Sequence, residues 1–170
     1  VRVISATEAI SQGAEGILLE SVLEGMAEYY SVELAEKINR GLTENALKCK
    51  YNGGSLALGY TTDKEQNYHI NPDTAPIVRE IFERYKAGMT QGEIAKALNN
   101  KGLRNQRGTK FNINSIARIL SNRRYIGEYI YSNTVIPNGI PAIISRELFD
   151  DVQEILAKNK KAPAKHKAED

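Results

Sequence analysis

The chain has 170 residues, of which 41% are hydrophobic and 26% charged, and a net charge of only +2. These values exclude global disorder and suit one ordinary domain or two small ones. No apolar run reaches the roughly 18 to 20 residues of a membrane span. The opening Val1-Arg2-Val3-Ile4 lacks the basic and then apolar plan of a signal peptide. The single Cys49 excludes an intramolecular disulfide and a multi-cysteine zinc site, in keeping with a reduced, cytoplasmic setting. A start without Met is read as the edge of a piece cut from a longer chain.

Val1 to Glu8 reads as a short extended piece. From about Ala14 to about Lys50 no Pro occurs and Ala, Leu, Glu and Lys are frequent, which predicts one long helix. Val22, Met26, Tyr30, Leu34, Ile38 and Leu42 are each four residues apart. Such a stripe drifts roughly 40° per step on a helix of about 3.6 residues per turn. It therefore winds about half way round, too far for one flat partner to cover. Leu19, Leu23 and Ala27 widen it in the N-terminal half. Gly53-Gly54 is the expected stop. Leu56 to Thr62 and Tyr68 to Ile70 look like two short strands. Asn71-Pro72-Asp73 then caps a helix from about Asp73 to Ala87, with Ile77, Val78, Ile81, Phe82 and Tyr85 on one face.

Thr90 to Glu93 is a capping box, opening a helix that buries Ile94, Ala95 and Leu98 and ends at Asn100-Lys101-Gly102. After polar Arg104 to Lys110, a further helix starts near Asn112 to Asn114 and turns Ile116, Ile119 and Leu120 inward. Tyr125 to Ile144 resembles a hairpin, with β-rich Tyr129-Ile130-Tyr131 and Thr134-Val135-Ile136 and with Pro137-Asn138-Gly139-Ile140 as its turn signal. Ser145 caps a last helix that buries Leu148, Phe149, Val152 and Ile155. Lys158 to Asp170 reads as a disordered, Lys-rich tail.

The small net charge conceals an uneven distribution. Lys96, Lys101, Arg104, Arg107, Lys110, Arg118, Arg123 and Arg124 stand with no acid among them, so this interval carries +8 and the remainder of the chain −6. Such a concentration suits the phosphates of nucleic acid. It coincides with a helix–turn–helix-like pattern. Asn105, Gln106, Asn112, Asn114 and Ser115 lie among the cations and can meet base edges or phosphates. About ten residues separate Gly102 from the second helix, longer than the usual turn, and the hairpin after Arg123-Arg124 could act as a wing. His69 and His166 lack partners at metal-ligand spacing, and no phosphate loop or activated serine is visible. The expectation is no catalytic residue, no metal and no cofactor.

Glu15 to Gly41 resembles the long helix that ends the catalytic domain of large serine recombinases. Gly59-Tyr60, Ile94-Ala95-x-x-Leu98-Asn99-x-x-Gly102 and Ile119-Leu120-Ser121-Asn122-x-x-Tyr125-Ile126-Gly127 resemble the DNA-binding domain that follows it. The resemblance implies an intact bacterial or phage-encoded protein that cuts both strands at short attachment sites. It would do so through 5′-phosphoserine links, without ATP or metal in the chemistry. No Tyr-x-Arg-Val-Ser-type nucleophile motif occurs in this sequence, so the expectation is a DNA-binding and assembly fragment, inactive alone. By resemblance, Leu19, Val22, Leu23, Met26 and Tyr30 pair subunits into a dimer, and a tetramer in the synaptic complex. Lys37, Arg40, Lys48 and Lys50 would then lie across duplex DNA. Arg104, Arg107, Lys110, Asn112, Asn114, Ser115, Arg118, Arg123 and Arg124 complete the expected DNA-binding set.

The expected fold class is α+β, mainly α: a long N-terminal helix, then a small helical domain with a helix–turn–helix-like core and short β-hairpins. The expected boundaries are 1–52 for the end of the catalytic domain, 53–157 for the DNA-binding domain and 158–170 for the tail. A competing view is a winged helix–turn–helix transcription regulator with the long helix as dimer seam. Another is an interaction module whose basic face is merely solvated.

Overall fold

The computed structural model describes residues 13–160. The expected strand over Val1 to Glu8, His166 and the tail beyond Lys160 lie outside the described residues. The chain divides into two compact units, Val1–Glu44 and Asn45–Asp170.

Among its described residues the first unit is one helix. α1 spans Ala14–Leu47, with its last residues in the second unit. At 1.5 Å per residue its 34 residues extend about 51 Å. Ser21, Ser31 and Thr43 each donate a hydroxyl to the carbonyl four residues earlier, which satisfies polar groups within the helix. The expected stripe is present and uncovered: Leu19, Val22, Met26, Tyr30, Leu34 and Ile38 are 46% to 59% exposed, and Leu23 is half-buried.

α1 stops before Gly53-Gly54, contrary to the sequence expectation. Cys49 takes a left-handed conformation at φ 54°. Its amide donates to the Ala46 carbonyl at 3.0 Å and that of Lys50 to the Asn45 carbonyl at 2.9 Å, a Schellman closure built without glycine.

In the second unit β1 (Tyr60–Thr62) and β2 (Tyr68–Ile70) form an antiparallel hairpin with Tyr60 opposite Ile70. β1 is shorter than expected because Gly59, at φ +93°, turns the backbone just before it. A Cβ on Gly59 would sit 2.7 Å from Ile143 Cδ1, so both conformation and space demand glycine. α2 (Ala75–Lys86) follows, two residues shorter at its start than expected. Asn71 Oδ1 accepts from the Asp73 amide in a turn, and Thr74 holds the N-cap position without a side-chain cap. α3 (Gln91–Asn100) and α4 (Ile113–Leu120) come next. A single 3₁₀ turn (Arg123–Ile126) leads to β3 (Tyr129–Tyr131) and β4 (Thr134–Ile136), and α5 (Arg146–Lys160) closes the unit. The first residues of the expected tail, from Lys158 to Lys160, thus belong to a helix.

The second hairpin corrects the expected turn. Tyr131 pairs with Thr134, so Ser132 and Asn133 make the turn, with Ser132 at φ 48°. Pro137 to Ile140 instead carry the chain away from β4. An added Cβ on Gly139 would meet Cys49 Sγ at 2.6 Å, which explains the glycine by packing rather than by a turn.

A chain of rings runs through the largely aliphatic core. Tyr60 stacks on Tyr125, Tyr125 meets Phe82 edge-on, and Phe82 lies against Phe149 of α5. Tyr68 joins Tyr51, Tyr60 and Tyr129 edge-on. The Tyr60 hydroxyl lies 2.7 Å from the Arg124 carbonyl and 2.8 Å from that of Pro141, so its proton is satisfied although the ring is buried. Burial holds the Tyr129 phenol up at about 12. Its hydroxyl donates to the Lys50 carbonyl at 2.7 Å.

Gly59→Ala should lower stability by about 1–3 kcal/mol, the range for an overpacked core, visible as a lower urea midpoint. A wild-type midpoint would contradict the packing described at Ile143.

Candidate nucleic-acid interface

α3 and α4 make the helix pair that the sequence pattern suggested. α3 starts from the expected capping box: the Thr90 hydroxyl accepts from the Glu93 amide at 3.3 Å, and the Thr90 amide donates to Glu93 Oε2 at 2.8 Å. Ile94, Ala95 and Leu98 face Ile116, Ile119 and Leu120 within one core. Gly102, at φ +76°, lets the Leu103 amide return to the Leu98 carbonyl at 3.1 Å and ends α3.

The long connection from Lys101 to Asn112 is ordered by two asparagines. Asn105 Oδ1 accepts from the amides of Arg107 and Thr109, at 2.9 and 3.1 Å, while Nδ2 donates to Thr109 Oγ1. These bonds fold the segment into a small loop. Asn99 then pins its return. Nδ2 donates to the Phe111 carbonyl and Oδ1 accepts from the Phe111 amide, both at 2.8 Å, with the Phe111 ring buried. This pairing was not foreseen, and an Asn at the end of a helix gives no local signal for it.

α4 is held at both ends. Asn112 Oδ1 accepts from the Ser115 amide at 2.8 Å; the Ser115 hydroxyl accepts from the Asn112 amide at 2.9 Å and donates to the Asn112 carbonyl at 2.7 Å. At the other end Gln153 of α5 donates to the Leu120 carbonyl at 2.8 Å. Asn112 and Ser115 were expected to meet DNA, but their first role is to start this helix.

The basic interval also separates into two kinds of cation. Lys101 pairs with Glu80 at 2.6 Å, and Arg104 Nη1 donates to the Leu103 carbonyl. Arg124 Nη2 donates to the Ile130 carbonyl at 2.7 Å. Arg123 makes a two-pronged pair with Glu128, Nε to Oε2 at 2.6 Å and Nη2 to Oε1 at 2.7 Å. Glu128 is buried, and Arg146 reaches the same Oε1 at 3.3 Å. The hydrogen bond from Arg123 leads in holding the Glu128 carboxyl below the usual glutamate range; burial opposes it, and the charges of Arg123 and Arg146 assist. Lys96, Arg107, Lys110 and Arg118 are the cations of the interval with no such engagement among the described residues. In the first unit Lys37 pairs with Glu33 at 2.7 Å, and Arg40 is exposed. Lys48 is exposed and Lys50 half-buried.

Those four cations line two open grooves that flank α4. One groove, of about 530 Å³, is bordered by Asn105, Gln106, Arg107, Asn114, Arg118 and Asn122. Its far wall is Ser55 to Leu58, of which Leu56 to Leu58 were expected to be strand, and none of it was foreseen as part of any site. The other, of about 690 Å³, lies on the α3 side with Lys96, Asn100, Lys110 and Ile113. Asn112 and Asn114 border both. The structure thus brings Arg107, Lys110, Asn112, Asn114, Ser115 and Arg118 around one short helix. Arg104 lines neither groove, and Arg123 and Arg124 are held by Glu128 and Ile130. Among the described residues no group of acidic, His and Cys side chains could hold a metal ion. No described helix is long and apolar enough to cross a membrane.

The family model described as Recombinase matches residues 72–159, and the chain belongs to that family. No curated protein matches the chain. Its fold is shared with the crystal structure of an LSR–DNA complex, at 21% identity and a TM-score of 0.61, over 75% of this chain and 41% of that one. It is also shared with a structure concerning the sequence requirements of the Listeria innocua prophage attP site. The match there has 22% identity and a TM-score of 0.61, over 75% of this chain and 54% of the other. The chain therefore spans about half, or less, of the length of these two proteins.

Glu128→Gln should cost about 1–3 kcal/mol at neutral pH, the scale of charge-assisted hydrogen bonds. Because the folded carboxyl titrates lower than the unfolded one, its contribution is complete above the ordinary glutamate value of about 4.3 and fades as pH falls further. Urea unfolding of both proteins against pH should show the gap closing toward acid; a constant gap would contradict the pairing.

Proposed function

We propose that the second unit binds duplex DNA by laying α4 in the major groove, with the two flanking grooves receiving the phosphate backbones on either side. The observation that carries this is the sorting of the basic interval: the four unengaged cations line the grooves beside α4. The outward face of α4 is Asn114, Ala117 and Arg118, at helical spacing and continued by Ser121 just past its end. Asn114 and Arg118 can make paired hydrogen bonds to base edges, and small Ala117 between them lets the helix approach. Lys96, Arg107 and Lys110 serve as phosphate contacts that set orientation.

In the same reading the intact protein is a cytoplasmic site-specific serine recombinase, cleaving and rejoining attachment-site DNA through a 5′-phosphoserine link. The present chain supplies binding and assembly. Leu19, Val22, Leu23, Met26 and Tyr30 pair subunits, which is supported by the exposure of Leu19, Val22, Met26 and Tyr30 along α1. Lys37, Arg40, Lys48 and Lys50 follow the DNA beyond that seam. In this reading residues 1–52 are the end of the catalytic domain and residues 53–157 the DNA-binding domain. Membership of the Recombinase family weighs against the transcription-regulator view.

The test is fluorescence anisotropy of the chain with duplex DNA across salt. The three phosphate contacts at the grooves set a slope of log affinity on log salt of about −3, from about −0.9 per contact, and any engagement of Lys37, Arg40, Lys48 and Lys50 makes it steeper. Arg118→Ala should cost about 1–3 kcal/mol and relax preference at one base pair without changing that slope. Negligible binding at low salt would sink the proposal; unchanged base preference would move Arg118 from base to phosphate.

A further inference from the structure

Ile113 is the first residue of α4 and is 58% exposed, although the core lies one turn away. It is not needed for the cap, which Asn112 and Ser115 complete between them. At about 100° per residue, Ile113 sits roughly 40° from Ala117 around the helix axis, and Asn114 and Arg118 lie on the far side of Ala117. The outward face of α4 is therefore split lengthwise. Asn114 and Arg118 form a hydrogen-bonding edge, while Ile113 and Ala117 form an apolar edge toward α3. Ile113 borders the groove that holds Lys96 and Lys110, with Gly92 opposite it. A Cβ built on Gly92 would lie 3.9 Å from Ile113 Cδ1 and Cγ1, an ordinary contact, so Gly92 lies directly against Ile113.

Ile113 shares this groove with Lys96 and Lys110, a cationic setting that suits DNA, and its other edge borders a groove with Tyr85, Met89 and Ile155. Within the major groove the one apolar feature of the base edges is the 5-methyl group of thymine. We propose that Ile113 is a specificity-determining residue that selects a thymine by contact with its 5-methyl group. The proposal rests on the major-groove reading of α4 and adds to it a named base and a named atom. It also explains why the position is isoleucine, since any helix-compatible polar residue would serve a merely exposed first turn.

The test uses the 170-residue chain and a duplex that it selects from a random-sequence pool. Each thymine is replaced in turn by deoxyuridine, which removes only the methyl group. The expected result is one position where the replacement weakens binding by about fourfold, the scale of one buried carbon group. Ile113→Ala should bind the thymine and uracil duplexes equally, and Ile113→Val should keep most of the difference. Circular dichroism of both variants should match the wild type, because the side chain is exposed. Binding that is indifferent to every replacement, or an equal methyl effect in Ile113→Ala, overturns the proposal and leaves the interface standing. Self-association that Ile113→Ala abolishes, with no methyl effect, also overturns it, by making a second copy the occupant. Failure to bind any duplex overturns the interface reading together with this one.

Discussion

The second unit depends on the fixing of α4. A helix of eight residues is far too short to persist alone. Its first turn is closed by the exchange between Asn112 and Ser115, and its last carbonyl is held by Gln153. Between these ends Ile116 and Leu120 are fully buried against α3. The approach to the helix is fixed too, since Asn99 binds both backbone groups of Phe111. The outward side chains are thus presented from a backbone with little freedom left to lose on binding, and preorganisation of this kind favours affinity.

Electrostatics divides along the same line. The buried carboxylate of Glu128 draws in Arg123 and Arg146, and Glu80 holds Lys101. These cations knit elements together: the 3₁₀ turn to α5, and the end of α3 to α2. Lys96, Arg107, Lys110 and Arg118 instead stand at the groove edges, where counterion release can reward contact with phosphate. A count of basic residues alone could not distinguish the two groups, because the distinction lies in which acids the fold brings near.

Much of this was legible in the sequence, for physical reasons that differ by element. The capping box at Thr90 and Glu93 is a local signal, and the structure forms it. The apolar faces of α2 and α4 follow from spacing and are buried as expected. The end of α1 was not legible, because Cys49 occupies a conformation usually left to glycine. The turn of the second hairpin was misjudged for the converse reason. Asn138-Gly139 is a strong turn signal, yet Gly139 answers to the close approach of Cys49 and Tyr129, and Ser132-Asn133 makes the turn instead. The wall from Ser55 to Leu58 and the roles of Asn99 and Glu128 are matters of tertiary proximity, which no periodicity reports.

The chain's parts suit a division of labour. α1 is a long helix whose apolar stripe is left exposed, whereas the second unit buries its own core and leaves a polar, basic face. Methylation interference with dimethyl sulfate distinguishes the major-groove placement proposed for α4 from a minor-groove one. Guanine N7 lies in the major groove and adenine N3 in the minor groove. The account predicts that premethylation at guanine N7 within the bound segment blocks binding by the wild-type chain. Binding undisturbed by N7 methylation, with interference only at adenine N3, would contradict it.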